Sequence, residues 1–367
     1  MRVCFIGNLG AIHSQRKVLA LIERGLEVTA ITNAPTDFTG VESVFLDNFD
    51  SFLELWKEQR GLIKKSLPDV IYANFIDQFT VVSPFLGVPT VFTPWGSDLY
   101  APFPERFSGI RKFLKWSFLR QAYRRAKVVT STGPHVTEML ETKFGVQPKR
   151  IFSFRLSLGE IPKVTETKIH ETRNHYGAAR GTTVFFCARA CSPIYRTLEC
   201  VAAFLEALKV GEDIQLWVST FWADQEYLKE IKKISEHSQG RVVLLPPVSH
   251  EEFFNYIGAA DVILSLPEWD GGFPPVTVAQ ALALGRPLIC AEHPSVSEFI
   301  NHGEQGLLLK NVDQQGLAKA IIDLHRNSSV RNQMSAKARD SYSKLPSSAA
   351  EFDRLAEKLI EISALKD

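Results

Sequence analysis

Residues 262–292 read VILSLPEWDGGFPPVTVAQALALGRPLICAE, and the order of elements in this stretch decides the fold. The apolar run 262–266 predicts a strand, and 267–275 an acidic, glycine-rich loop. A short apolar helix follows over 276–284, closed by Gly285, and then a second strand over 287–291. The loop leaves a strand's carboxyl end and opens a helix, which is where open α/β sheets bind ligands. The first free amides of such a helix, aided by its dipole, favour an anion such as phosphate. Glu268 and Asp270 stand just upstream, placed to orient sugar hydroxyls.

The same alternation extends in both directions. In the carboxyl half TTVFFCAR, IQLWVST, RVVLLPPV and GLLLK read as further strands. Helix 195–209 aligns Leu198, Val201, Leu205 and Leu208, and helix 313–326 aligns Leu317, Ile321 and Leu324. In the amino half VCFIG, EVTAIT, DVIYAN, PTVFTP, KVVTST and RIFSFR read as strands. Between them lie helices at 13–24, 52–67, 78–86, 107–125 and 134–143, with an irregular segment before the second. Strands alternating with helices imply parallel, doubly wound sheets. The stretch 158–180 is polar and breaks the rhythm, as a linker does. The expectation is an α/β chain of two Rossmann-like domains with parallel sheets facing a central cleft. Residues 1–160 form the first, 161–180 the linker and 181–346 the second, and 347–367 add a terminal helix.

Composition narrows the class. A chain of 367 residues exceeds one ordinary core. The hydrophobic share of 45% marks a globular chain, and a net charge of +1 gives no bulk attraction to nucleic acid. Cys4, Cys187, Cys191, Cys200 and Cys290 lie in apolar segments, which suggests buried thiols in a reducing compartment. No His/Cys cluster completes a metal site around Cys187 and Cys191. Met1-Arg2 runs straight into a strand and no apolar run reaches membrane-spanning length, so a soluble cytoplasmic protein is expected. The first loop, GNLG, lacks the Gly-x-Gly-x-x-Gly spacing of a nicotinamide-dependent oxidoreductase.

Six segments, in this order, carry a family resemblance. GNLGAIHSQRKVLALIERGLEVTAIT resembles the opening loop of the GT-B glycosyltransferases of the retaining family 4 type (glycosyl transferases group 1). PTVFTPWGSDLY resembles a Trp-Gly-Ser-Asp variant of that family's His-Gly-x-Asp loop, and KVVTSTGPHVTEML its next strand and helix. FFCARACSPIYRTLECVAAF looks like the strand-Arg-helix element that holds the donor diphosphate. PPVTVAQALALGRPLI and SEFINHGEQGLLL resemble the two glycine-containing segments of the donor domain. The resemblance spans nearly the whole chain.

What it implies is a set of roles. Arg189, at the end of its strand, is expected to bind diphosphate bidentately; a solvated loop arginine is the plainer reading. Relatives often place a lysine a few residues later, where this chain has Tyr195 and Arg196. Arg196 is then the second cation or Tyr195 a phosphate donor, with a surface helix start as the alternative. The family's paired glutamates stand eight residues apart, and the second holds the ribose. Alignment puts Gln280 there, whose amide still accepts and donates. Eight back is Gly272, ten back Asp270 and twelve back Glu268. Asp270, Gly271 and Gly272 are therefore expected to face the donor sugar, with Glu268 competing for that task; a glycine-rich turn with solvated acids is the alternative. Phe273, Val276 and Thr277 join the donor-binding set. Gly10, His13, Trp95 and Asp98 form the acceptor side. His13 is weighed against a structural histidine, and Asp98 against a helix cap.

Residues 105–127 carry eight basic side chains against Glu105, with Phe113, Leu114, Trp116, Phe118 and Leu119 interleaved. They offer a peripheral membrane surface for a lipid-linked acceptor at the inner face of the membrane, or a helix whose aromatics bury in the domain. The second reading is preferred. The resemblance implies retaining transfer from a nucleotide sugar to a hydroxyl of a sugar, glycan or lipid-linked glycan, in polysaccharide or glycoconjugate synthesis. The nucleotide sugar is a co-substrate, and no cofactor or metal is expected. Residues 347–367 would cross back to brace the first domain. Gln280 and the altered acid spacing leave the alternative of a catalytically degenerate binding or scaffold protein, and a nucleotide-sugar epimerase is a sister reading within the same fold.

Overall fold

A computed structural model describes residues 1–364 apart from 47, 48, 50, 101–108, 156–160, 212 and 271–274. The chain divides into two compact units, unit 1 with Met1–Ser157 and Pro346–Asp367, and unit 2 with Leu158–Leu345. Unit 1 runs β1 (Arg2–Ile6), α1 (Ile12–Ile22), β2 (Glu27–Thr32), β3 (Glu42–Phe45), α2 (Phe52–Ser66), β4 (Val70–Asn74), β5 (Thr90–Thr93), α3 (Ser97–Tyr100), α4 (Gly109–Arg125), β6 (Val128–Ser131), α5 (Pro134–Met139) and β7 (Ile151–Ser153). Unit 2 continues with α6 (Glu166–His175), β8 (Thr183–Cys187), α7 (Thr197–Leu208), β9 (Ile214–Ser219), α8 (Gln225–Ser235), β10 (Val242–Leu245) and α9 (His250–Ala259). It closes with β11 (Val262–Ser265), α10 (Val276–Ala283), β12 (Leu288–Ala291), α11 (Pro294–Ser297), β13 (Gly306–Leu309), α12 (Gln314–Arg326) and α13 (Ser328–Ser343). The last helix, α14 (Ser348–Ala364), belongs to unit 1.

Both sheets are parallel. Unit 1 has the order β3-β2-β1-β4-β5-β6-β7, and unit 2 the order β10-β9-β8-β11-β12-β13. Strands β1, β4, β8, β9 and β11 are buried along almost their whole length, as parallel strands covered on both faces are. The order reverses beside β1 and β4 in unit 1, and beside β8 and β11 in unit 2. At such a reversal the connections depart to opposite faces, and a crevice opens at the carboxyl ends of the strands.

Local chemistry sets the helix boundaries. Ser51 caps α2 by accepting from the Glu54 amide at 3.2 Å, and Asp224 caps α8 by accepting from Tyr227 at 3.0 Å. Helix α14 buries Phe352, Leu355, Leu359 and Ile362 in the same cluster as Val3 and Phe5. Its Asp353 pairs with Arg24 at 2.8 Å, and Glu351 accepts from the Arg155 amide at 2.6 Å.

Three local expectations change. The irregular segment before α2 contains β3, an edge strand whose four residues are all exposed, so no buried run announced it. The helix expected over 78–86 is only a 3-10 turn at Ser83–Phe85. Within 161–180 lies α6, docked by Arg173, which donates to the Ala259 carbonyl at 2.9 Å and pairs with Asp261 at 3.0 Å. Its polar sequence reflects a helix held by side-chain hydrogen bonds more than by an apolar stripe.

Candidate active site

At the unit 2 reversal, β8 ends and Arg189 follows; β11 ends and Asp270 follows. Their side chains meet, with Arg189 Nη2 3.0 Å from Asp270 Oδ2, both largely buried. The Arg189 guanidinium also lies 4.4 Å from the centroid of the Tyr195 ring. The Glu268 amide donates to the Ile194 carbonyl at 2.9 Å, which ties the acidic loop to the turn bearing Tyr195. Glu268 itself is exposed and Asp270 buried, so the two acids differ in setting. Arg196 starts α7 in the left-handed region at φ 52°.

Helix α10 opens at Val276 after Pro275, with no side chain capping its first turn. Its leading amides lack intrahelical partners. Thr277 is buried behind Val276. Gln280, on the same helix, is 2% exposed. Gly271, Gly272 and Phe273 lie outside the described residues.

The unit 1 reversal holds a second constellation, which the sequence reading missed in part. Lys17, 2% exposed on α1, donates to Asn74 Oδ1 at 2.6 Å. The Trp95 indole N–H donates to the same oxygen at 2.8 Å, and Asn74 Nδ2 donates to Ser14 Oγ at 3.1 Å. Lys17 Nζ lies 4.2 Å from the centroid of the Trp95 ring, and the His13 ring packs 5.2 Å from it. Gly7 is required here, since a Cβ on it would stand 2.6 Å from the Asn74 carbonyl. The missed residues had one signal: Ser14, Lys17, Val18 and Leu21 share the buried stripe of α1, an unusual place for a lysine.

Asp98 turns inward. It accepts from the amides of Ile76 at 2.8 Å, Trp95 at 2.9 Å and Gly96 at 2.7 Å, and so fixes the Trp95 loop. Burial raises its pKa to about 6 against those hydrogen bonds. Burial likewise lowers Lys17 to about 7, opposed by Asp98. Gly10 lines a cavity of about 700 Å³ with Gln15, Pro35, Thr36, Asp37 and Phe38. Among the described residues no group of three His, Cys, Asp or Glu side chains is placed to hold a metal ion.

Comparison with known proteins bears on both units. The Glycosyl transferases group 1 model matches residues 197–341, and the Glycosyltransferase Family 4 model matches residues 11–153. The structure of Anabaena Alr3699/HepE in complex with UDP-glucose covers 98% of this chain and 100% of its own, with a TM-score of 0.78 at 17% identity. The chain belongs to the GT-B glycosyltransferases. Two curated relatives match over shorter stretches. The amylovoran biosynthesis glycosyltransferase AmsK of Erwinia amylovora is 36% identical over 78 residues, 20% of this chain and 19% of the relative. A D-inositol 3-phosphate glycosyltransferase of Nocardioides is 30% identical over 97 residues, 26% of this chain and 21% of the relative. The matches thus span about a fifth of each curated relative's length.

In this GT-B chain α4 meets in part the preferred expectation that its aromatics bury. Leu119 is buried and Trp116 and Phe118 pack partly against the unit 1 core, but Ile110, Phe113 and Leu114 are 74%, 67% and 59% exposed. Among the described residues no helix is long and apolar enough to cross a membrane.

Proposed function

We propose that this glycosyltransferase uses a nucleotide-sugar donor, bound by unit 2, and transfers the glycosyl group with retention to a hydroxyl acceptor bound by unit 1. The observation that carries the reading is the unit 2 reversal: Arg189 at a strand end, the open first turn of α10, and the Gln280 side chain on the same helix. In this scheme Arg189 and the leading α10 amides hold the diphosphate, where charge develops as the bond from the anomeric carbon to phosphate breaks. Gln280 holds the ribose, and Asp270 turns to a donor-sugar hydroxyl. The acceptor oxygen bonds to the anomeric carbon, and its proton passes to the departing phosphate. These groups neutralise the leaving charge without a divalent metal.

On the acceptor side, the Trp95 loop, His13 and the cavity beside Gly10 present aromatic, hydroxyl and amide groups, which suit a sugar or glycan. The named functions of the relatives favour a role in polysaccharide or glycoconjugate synthesis. The exposed apolar side chains of α4, with Lys112 and Lys115 among them, favour a peripheral membrane contact, which suits a lipid-linked acceptor at the inner membrane face.

A thermal-unfolding series with UDP, GDP, ADP, CMP and their sugars tests the donor site, because a ligand stabilises by mass action. One nucleotide should raise the midpoint in the wild type and not in Arg189→Ala. If none does, the donor assignment fails. Binding without turnover of any donor would favour the degenerate alternative.

A further inference from the structure

The edge of the unit 2 sheet opposite Arg189 carries a second polar cavity of about 460 Å³. It sits at the amino ends of the strands, where Asp261 precedes β11 and Arg286 precedes β12. Strands of four or five residues separate it from the donor-site edge by roughly 15 Å. Arg173, Arg286, Arg339, Glu166, Asp261 and Asn332 supply its charged and amide groups. Arg173 is already matched, by Asp261 at 3.0 Å and by the Ala259 carbonyl.

The other two arginines are not matched. Arg286 and Arg339 have no side-chain hydrogen bond or ion pair among the described residues, and Arg286 Nε is buried without an acceptor. Glu166, the remaining carboxylate, forms no ion pair with either. Burial lowers the Arg286 pKa; Asp261 and Glu166 oppose that effect, and Arg339 and Arg173 add to it. Arg339 is held in place: its side chain lies over Gly285, where a Cβ would stand 2.5 Å from Arg339 Nε. Gly285 has φ 61°, a conformation that leaves this space only for glycine. Ser335 Oγ fixes the same turn by donating to the Gly285 carbonyl at 2.6 Å. Two guanidiniums of like charge, one half-buried and one at the mouth, therefore face one cavity with their donors unspent. Such a fork suits the oxygens of a phosphate, which accept bidentately.

We propose that this cavity binds a phosphate-type oxyanion, held by Arg286 and Arg339 with the Asn332 amide at its mouth. The site is independent of the donor site, and it gives unit 2 a place to sense free phosphate or a phosphate monoester.

The test uses the full chain carrying Arg189→Ala, so that the donor site does not report. Titration calorimetry and thermal unfolding are run with inorganic phosphate against chloride of matched ionic strength. Saturable binding is expected, weakened at least tenfold by Arg286→Gln and by Arg339→Gln, and tightened by Glu166→Gln. Arg339 is exposed, so its variant carries the test should Arg286→Gln fail to fold. A glycerol 3-phosphate arm assigns the source: tighter binding than phosphate points to monoesters, and equal or weaker binding to the free ion. No saturable effect above chloride, or an equal effect in Arg339→Gln, overturns the proposal. Failure of the donor reading shows separately, as absent nucleotide binding in the chain that keeps Arg189.

Discussion

Arg189 and Asp270 form an ion pair at 3.0 Å across the carboxyl ends of β8 and β11. A diphosphate approaching Arg189 must therefore replace a carboxylate already there. Asp270→Asn removes the competitor but keeps the shape. Nucleoside diphosphate binding should tighten by about 1 kcal/mol, roughly fivefold. Turnover should fall, because the donor-sugar hydroxyl exchanges a charged acceptor for a weaker neutral amide oxygen. Calorimetry and steady-state kinetics on one preparation read both. Weaker nucleotide binding in Asp270→Asn would show that the carboxylate supports Arg189 and does not compete with it.

Gln280 can be converted to the acid that the family resemblance implies at this position. Gln280→Glu buries a carboxylate, so the free protein should lose about 1–3 kcal/mol. A ribose would supply donors to it, so saturating nucleotide should restore part of that loss. Unfolding midpoints with and without nucleotide give the comparison. An equal loss in both conditions places Gln280 away from the ribose.

Lys17 makes a pH-dependent contribution whose sign is fixed. Its folded pKa is depressed to about 7, below the ordinary 10.5, so the unfolded chain holds the extra proton between those values. Stability from this group therefore rises with pH above 7, by at most about 1.4 kcal/mol per unit. Asp98 runs the opposite way at lower pH: its pKa is raised from 3.8 to about 6, and its contribution falls across that window. Denaturant unfolding at pH 7, 8 and 9 should show wild type gaining on Lys17→Met. Parallel curves for the two proteins would mean that Lys17 stays charged.

The exposed face of α4 gives a binding prediction. Wild type should sediment with vesicles containing anionic lipid, less so as salt rises. The triple change of Ile110, Phe113 and Leu114 to Ser should abolish this while leaving the unfolding midpoint nearly unchanged, since these side chains are exposed. Retained sedimentation in the triple variant would assign the contact to charge alone.

The parallel sheets, and the placing of Arg189 and Asp270 just beyond strand ends, were legible because they rest on local signals. Continuous apolar runs mark β8 and β11, and Arg189 and Gln280 stand at fixed offsets from them. The Asn74 anchor was not legible. Lys17 and Asn74 lie 57 residues apart and converge only when β1 and β4 pair. Trp95 could be named from its loop, but not the carboxamide oxygen that holds its indole. Likewise Asp98 looked like a cap or a ligand contact, and only the folded loop shows its oxygens filled by three amides. Strand β3 failed for a different reason: pairing to β2 makes it a strand, and no buried face leaves a trace in Glu42–Phe45.

Helix α14 completes the unit 1 core from the far end of the chain, through Phe352, Leu355, Leu359 and Ile362. Domains ordinarily fold in the order of synthesis, the amino-terminal one first. Here the ribosome emits all of unit 2 before the helix that seals its predecessor. Nascent unit 1 must wait with part of its apolar face open, and the second-made unit can reach its native state first.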